Sequence, residues 1–263
     1  MKEKNAILAL LAALVLATTA GLSQESDQLT VFCGAGLTGA FSEIGQLYEN
    51  SSELAVNFNF DGVPALRAQI EQGAYADVLV SANLKHMNAL KAESYIDNNT
   101  VEIFAKNKVA VIVPNDNPAN ISNLTDLAKP GIKILIGTKD LPAGDYALQV
   151  LDKLANDSRY GASYKDAVMA NVVSEETTVN RIVSKVALGE VDAGFAFISD
   201  VSPDMVGKVA RIAVPDEFNV VGEFPIGILK QSGHPKEAQS FMDLVMSEEG
   251  QAILNKYGFI PVR

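Results

Sequence analysis

The sequence predicts an α/β protein made of two similar lobes, and three observations support this. Short apolar segments rich in β-branched residues alternate with segments of helical spacing along most of the chain. Turns that contain glycine or proline separate these segments. Roughly 238 residues follow an apolar N-terminal segment, enough for one complex domain or two interleaved ones. The alternation predicts mostly parallel sheets flanked by helices.

The N-terminal segment has the pattern of an export signal. Lys2 and Lys4 precede an apolar run from Ala6 to Ala20, which is shorter than the ~20 residues of a membrane span. Small residues at its end suit a signal peptidase. We assign residues 1–25 to a signal peptide, with a retained anchor as the alternative. The protein is therefore expected to be exported, either periplasmic or at the cell surface.

The first strand, turn and helix of the predicted fold form a candidate anion site. Residues 29–44 read LTVFCGAGLTGAFSEI, with glycines at Gly34, Gly36 and Gly39 between the strand and the helix. The first turn of a helix has backbone N–H groups without partners, and the helix dipole favours negative charge there. A turn of this kind often binds nothing, so the prediction of a site depends on similar turns elsewhere.

The rest of the chain continues the alternation. Strands are predicted at residues 54–60, 76–80, 109–113, 132–136, 193–197 and 226–229. Helices are predicted from Pro64, over 84–92, from Ala143, over 163–169 and 178–188, and as a C-terminal pair that begins at Pro235 and after Ser247.

Three further turns resemble the first one. They place Val63, Ala143 and Val179 in the first turns of their helices, where each N–H lacks a helical partner. Plain helix capping is the alternative for each turn taken alone. Asp61 precedes one of these helices and would compete with an anion, so its carboxylate is expected to point away or to the backbone.

Several sequence blocks resemble the molybdate-binding proteins of ABC transporters, which belong to the type II periplasmic solute-binding class. The blocks, in chain order over residues 29–260, are VFCGAGLT, LRAQIEQGAYADVLVSAN, LPAGDYA, GEVDAGFAFISD, EFPIGIL and YGF. The resemblance implies a ligand cleft between two lobes. It assigns residues 26–107 and 225–263 to lobe 1 and residues 108–224 to lobe 2, with chain crossings near Val109 and Phe224.

The resemblance also implies which residues hold the ligand. Backbone N–H donors fall at Gly36, Val63, Ala143 and Val179. Three hydroxyl donors of the family do not carry over: Gly36 and Val63 stand where serines are expected, and Phe197 stands where a tyrosine is expected. The neighbouring hydroxyls that could replace them are Thr38, Ser81 and Thr178.

The implied function is capture of molybdate or tungstate and delivery to the permease of an ABC importer. No cofactor, cationic metal or catalytic residue is expected, so the protein is not expected to be an enzyme. We expect a monomer that meets the membrane only through the permease or a retained N-terminal anchor. A solute-binding protein for another small anion is the alternative.

Other functional classes have weaker support in the sequence. Gly34, Gly36 and Gly39 match the G-x-G-x-x-G pattern of dinucleotide oxidoreductases, but an export signal disfavours a nicotinamide enzyme. His86 and His234 are far apart and lack metal-ligand spacing; His86 is predicted on a helix surface and His234 in a loop. No G-x-S-x-G nucleophile elbow occurs in the sequence.

Charge and cysteine content exclude further classes. The formal net charge is -11, and no basic cluster occurs, so nucleic acid is not an expected partner. A single cysteine, Cys33, excludes an internal disulfide and is predicted to be buried in the first strand. The acids beside predicted strands and helices are expected to be solvated turn residues or caps: Asp77, Glu175, Glu176 and Asp192.

Overall fold

The computed structural model describes residues 28–52 and 54–262. Over these residues the chain forms two mixed β-sheets, of six and five strands, with helices packed against them. The predicted α/β fold with two lobes is confirmed. The predicted signal peptide, residues 1–25, lies outside the described residues.

Most predicted elements fall within a few residues of the observed ones. The strands are β1 (Gln28–Gly34), β2 (Ala55–Asp61), β3 (Val78–Val80), β4 (Glu102–Asn107), β5 (Val109–Pro114), β6 (Ile134–Gly137), β7 (Val172–Glu176), β8 (Ala193–Phe197), β9 (Val209–Ala213), β10 (Gly222–Ile228) and β11 (Ile260–Pro261). The helices are α1 (Thr38–Ser52), α2 (Val63–Glu71), α3 (Leu84–Ala92), α4 (Pro142–Ala155), α5 (Tyr164–Ala170), α6 (Val179–Ala187), α7 (Pro235–Met246) and α8 (Glu248–Lys256).

Each sheet combines a parallel half with an antiparallel half. The six-stranded sheet has the order β11-β4-β10-β3-β1-β2, and β1 pairs in parallel with β2 and β3. The five-stranded sheet has the order β7-β6-β8-β5-β9, and β6 pairs in parallel with β7 and β8. The strands β10 and β5 run antiparallel to both of their neighbours. The parallel part is therefore smaller than the sequence predicted.

The antiparallel strands lie where the chain passes from one sheet to the other. Strand β4 leads into β5 through the single residue Lys108, and residues 214–221 lead from β9 back to β10. Parallel neighbours need a crossover helix, whereas these short connections do not have one. Because β10 begins at Gly222, the six-stranded sheet starts slightly before the proposed lobe boundary at residue 225. That the two lobes move about these crossings stays a prediction.

A series of aromatic rings joins the two sheets next to the crossings. Phe104 packs edge-on against Phe224, and Phe224 packs against Phe197 with 5.2 Å between ring centroids. Phe197 in turn contacts Tyr146 on α4. Phe104, Phe197 and Phe224 are all buried. This packing holds the carboxyl end of β8 close to the first sheet, at the position where the candidate site lies.

Candidate functional site

Four helical N-termini meet at one small cavity between the two sheets. Its volume is about 20 Å³, and Gly36, Val63, Ala143 and Val179 all line it. The structure therefore brings the four predicted backbone donors together around one space. A water molecule needs roughly 10–15 Å³ of such volume, so the cavity suits a ligand of a few atoms.

The sheets explain why these N-termini converge. Each of the strands β1, β2, β6 and β7 ends a few residues before one of them. Because β1 pairs in parallel with β2, and β6 with β7, the carboxyl ends of each pair lie at one edge of their sheet. The two edges face each other across the cavity. Ligands of open α/β sheets bind beyond the carboxyl ends of the strands, as here.

The backbone at these turns has N–H groups to offer to a ligand. Val63 and Val179 are the first residues of α2 and α6, and Ala143 is the second residue of α4. The first four N–H groups of a helix have no carbonyl partner within the helix. Gly36 lies in the 3-10 turn Ala35–Leu37, which precedes α1. A cavity at such N-termini favours an anion.

The side chains around the cavity are almost all apolar. The lining residues are Gly34, Ala35, Gly36, Leu37, Gly62, Val63, Ala82, Leu141, Pro142, Ala143, Val179, Phe197, Asp200 and Phe224. Within the described part of the chain, this lining contains no hydroxyl group and no positive charge. Asp200 is the exception to the apolar character, and no sequence pattern indicates a role for it.

Asp200 is positioned by the 3-10 turn that follows β8. Its Oδ2 accepts a hydrogen bond from the backbone N–H of Phe197, 2.7 Å away, which caps that turn. Its Oδ1 points toward Gly36, where an added Cβ would lie only 2.2 Å from this oxygen. Burial raises the pKa of Asp200 to about 7, against the Phe197 hydrogen bond, which favours the ionised form.

The three hydroxyls proposed as replacement donors lie outside the cavity lining. The Thr38 hydroxyl donates to the Ala35 carbonyl at 2.7 Å, and the Ser81 hydroxyl donates to the Asn83 carbonyl at 2.8 Å. Thr178 is the N-cap of α6, and its side chain makes no capping hydrogen bond. The assignment of these hydroxyls to the ligand stays a prediction, and the present geometry does not favour it.

The glycines of the first turn have a packing role that differs from the dinucleotide pattern. A Cβ at Gly39 would lie 2.5 Å from the ring of Tyr257, so this glycine allows the helix to approach that ring. In the turn after β2 of the same sheet, a Cβ at Gly62 would lie 2.5 Å from the carbonyl oxygen of Thr177, which follows β7 of the other sheet. Gly62 therefore allows the turns from the two sheets to touch. Asp61 accepts a hydrogen bond from the Gly62 N–H, as predicted.

A second, larger cavity lies on the outer side of Gly36 and Asp200. Its volume is about 400 Å³. Polar groups line it, among them Thr38, Asn180, Ser184, Asp204 and Tyr257. Ala35, Gly36 and Asp200 line both cavities, so they separate the small inner cavity from the outer one.

Three residues predicted to be at the surface are buried instead. His86 is 3% exposed because its face of α3 packs toward the second sheet, and its Nε2 is 2.8 Å from the Asp140 carbonyl oxygen. Asp77 is fully buried and accepts hydrogen bonds from Thr30 N–H and the Tyr75 hydroxyl. Glu176 is buried beside Lys185, with 2.5 Å between the charged atoms. Cys33 is buried, as predicted.

Among residues 28–52 and 54–262, no group of three or more His, Cys, Asp or Glu side chains is arranged to hold a metal ion. In the same residues, no helix has both the length and the apolar character needed to cross a membrane.

Comparison with known proteins gives the family. Residues 29–260 match the family described as bacterial extracellular solute-binding protein. The chain is 30% identical over 241 residues to the molybdate-binding protein ModA of Mycobacterium tuberculosis, covering 91% of this chain and 87% of that protein.

Two solved structures have the same fold. The substrate-binding domain of a putative molybdenum ABC transporter from Clostridium difficile is 27% identical, with a TM-score of 0.67, covering 90% of this chain and 99% of that one. The sulfate-binding protein SubI of Mycobacterium tuberculosis is 18% identical, with a TM-score of 0.79, and the match covers 89% of this chain and 87% of that one. Proteins of this family bind solutes and are not enzymes, which confirms the predicted lack of catalysis. The chain belongs to the bacterial extracellular solute-binding proteins.

Proposed function

We propose that this protein captures a tetrahedral oxyanion, molybdate or tungstate ahead of sulfate, and delivers it to the permease of an ABC importer. The observation that carries the proposal is that Gly36, Val63, Ala143 and Val179, each at or near the start of a helix, all line one small cavity.

The chemistry of the cavity favours an anion that carries no proton. Backbone N–H groups donate hydrogen bonds and cannot accept them. A protonated oxyanion would therefore leave its proton without a partner among these donors, which costs free energy in a buried site. Molybdate, tungstate and sulfate are dianions at neutral pH, whereas phosphate retains a proton. We therefore expect phosphate to bind more weakly than the other three anions.

The choice among dianions is supported mainly by relatives. The ModA relative named above is a molybdate-binding protein, and the Clostridium difficile domain belongs to a putative molybdenum transporter. The sulfate-binding SubI shares the fold, so the fold alone does not separate these ligands. Discrimination between molybdate and sulfate would come from the size of the cavity, because both anions present the same charge and shape to the same donors.

Delivery to an importer requires a protein that closes around its ligand and acts outside the cytoplasm. The cavity lies between two sheets that are joined by two chain crossings, an arrangement that permits hinge closure. The export signal predicted in residues 1–25 would place the protein in the periplasm or at the cell surface. We propose that it acts as a monomer and reaches the membrane through the permease or a retained anchor.

Isothermal titration calorimetry with molybdate, tungstate, sulfate and phosphate at neutral pH tests the proposal. We expect one anion per chain, with molybdate or tungstate bound more tightly than sulfate, and phosphate bound most weakly. An amino acid and a sugar serve as negative controls. Tight binding of either control, with none of the four anions bound, would overturn the proposal.

A further inference from the structure

The Asp200 carboxyl is a polar group of the cavity to which the function proposed above gives no role. Its Oδ2 is engaged by the Phe197 N–H at 2.7 Å. Within the described residues, no donor reaches its Oδ1, which faces Gly36. Asp200 thus has one carboxyl oxygen beside Gly36, and it lines the same small cavity as the four residues proposed to donate their backbone N–H groups.

The position of Oδ1 coincides with that of a side chain that Gly36 lacks. A Cβ built on Gly36 would lie 2.2 Å from Oδ1 and 3.4 Å from the Asp200 Cγ. The carboxyl group therefore fills the space that a serine at residue 36 would use. An oxygen at this place can serve as a hydrogen-bond donor to a bound anion only if it carries a proton.

An ionised Asp200 would oppose a dianion in the cavity. Two negative groups in contact within an apolar site repel each other strongly, and the described lining contains no positive side chain to offset this repulsion. A protonated Asp200 removes the repulsion and adds a donor. Because burial raises the pKa of Asp200 to about 7, its protonated form is readily available near neutral pH.

We propose that Asp200 is protonated in the anion complex and donates a hydrogen bond from Oδ1 to an oxygen of the bound anion. This inference rests on the proposed function, because it names how that site holds its ligand. The dianion enters unchanged, and wherever Asp200 was ionised beforehand, one proton from solvent joins Oδ1 on binding. Asp200 is then a specificity-determining residue that replaces a serine hydroxyl.

The groups that face Asp200 from neighbouring elements do not supply this proton linkage. Thr38 of α1 and Asn180 and Ser184 of α6 line the outer cavity and do not titrate. The pKa of Asp204 is lowered by its hydrogen bond from Ser202, so it stays ionised above neutral pH.

Tyr257, beyond the end of α8, is the remaining titratable group of the outer cavity. Burial raises its pKa above the usual value of 10.0, so it stays neutral. Neither Asp204 nor Tyr257 changes charge between pH 7 and 9, whereas Asp200 does.

The test is calorimetric titration with sodium molybdate and sodium sulfate between pH 7 and 9, on the full chain and on Asp200→Asn. For the parent protein, we expect the dissociation constant to rise toward tenfold per pH unit above pH 7. Titration at pH 8.5 in buffers of different ionisation enthalpy should show uptake of about one proton per anion. The Asp200→Asn variant should bind with no pH dependence and no proton uptake.

The asparagine variant is a close mimic of the protonated carboxyl. Its amide oxygen can accept from the Phe197 N–H, and its amide nitrogen donates where the Oδ1–H would lie. Asp204→Asn is the matched control, because it alters a nearby carboxylate of the outer cavity and should leave the pH dependence intact. If Asp200→Asn fails to fold, proton uptake by the parent protein still decides the question.

The possible outcomes separate this inference from the proposed function. If no oxyanion binds at any pH, the proposed function fails. If molybdate or sulfate binds with a flat pH profile and no proton uptake, only the role of Asp200 is overturned. Tighter binding of phosphate than of sulfate, lost in Asp200→Asn, would also overturn it, because Asp200 would then be an ionised acceptor.

Discussion

Lys85 on α3 and Asp140 before α4 form an ion pair that links the lobe of the six-stranded sheet to the lobe of the five-stranded sheet, with 2.7 Å between Nζ and Oδ1. The backbone carbonyl of Asp140 also lies 2.8 Å from Nε2 of the neighbouring His86. A carbonyl only accepts, so the ring nitrogen must carry the hydrogen. These contacts join a helix that packs on the six-stranded sheet to the loop after β6, so they require the two lobes to be close together.

The two contacts should contribute unequally to ligand affinity. The Lys85 and Asp140 side chains are 46% and 71% exposed, and exposed pairs contribute roughly 0–1 kcal/mol. Asp140→Ala keeps the carbonyl and should weaken molybdate binding by about fivefold at most, with the effect disappearing in high salt. His86→Ala removes the buried hydrogen bond as well as packing, so calorimetry should show a larger loss. Equal effects of the two variants would contradict this ranking.

A methyl group at Gly62 should hinder closure of the cavity. Its Cβ would lie 2.5 Å from the Thr177 carbonyl oxygen, a backbone atom of the facing half. The Gly62 backbone has φ −59°, which alanine adopts without strain, so the fold itself should tolerate Gly62→Ala. We expect at least tenfold weaker molybdate binding with an unchanged circular dichroism spectrum. An unchanged affinity would mean that the two turns need not touch in the complex.

Removal of one backbone donor tests the site most directly. Ala143→Pro deletes an N–H at the start of α4 and should cost about 1.5–3 kcal/mol, or roughly ten- to a hundredfold in affinity. Ala143→Gly keeps the N–H and is the matched control, so its affinity should stay close to that of the parent. Pro142 precedes this position, and a second proline strains it, so folding is checked by circular dichroism. A folded proline variant with parental affinity would remove Ala143 from the site.

Replacement of Val63 or Val179 by alanine should have little effect by comparison. Both variants keep every backbone N–H, and they change only apolar packing around the cavity. The affinity for molybdate should change less than fivefold, while the melting temperature falls because buried methyl groups are lost. A loss as large as that of Ala143→Pro would show that the side chains, rather than the backbone, hold the ligand.

The sequence predicted the elements with clear patterns and missed those without them. The strand over 193–197 and the helix over 84–92 are apolar or well capped, and they were placed with the observed bounds. Strands β7, β9 and β11 were missed because they lie at sheet edges, are short and mix exposed with buried residues. Strand β4 was missed because polar residues occupy both of its ends.

The candidate site shows the same division. Where strands end and helices begin follows from local pattern, so the positions of Val63, Ala143 and Val179 in the first turns of their helices could be predicted. Asp200 could not, because its importance depends on a contact with Gly36, more than 160 residues away. His86 was predicted at the surface for a related reason, since the surface that covers it belongs to the other half of the molecule.

The buried state of His86 should make stability sensitive to acid. Burial lowers the pKa of His86 below its usual value of 6.5, because the charged ring is disfavoured in the fold. The unfolded chain therefore binds a proton at His86 before the folded protein does, and stability decreases as the pH falls below 6.5. His86→Gln removes this titration. When the pH is lowered from 7.5 to 5, the melting temperature of the variant should therefore fall less than that of the parent. A constant difference would contradict the prediction.

A serine at residue 36 should conflict with Asp200 and be tolerated only when Asp200 is shortened. Gly36 has no positive φ, so its backbone accepts a serine. The added Cβ, however, would lie 2.2 Å from Asp200 Oδ1 and 3.0 Å from Val179 Cγ2.

Gly36→Ser alone should weaken molybdate binding at least tenfold. Asp200→Ala alone should also weaken it about tenfold, since one hydrogen bond to the anion is lost. The double variant frees space for the serine hydroxyl to donate in place of the carboxyl. Calorimetry should therefore show a loss of affinity well below the one expected if the two single effects multiplied, and the affinity should not depend on pH. Additive losses in the double variant would show that the two residues do not share one position in the site.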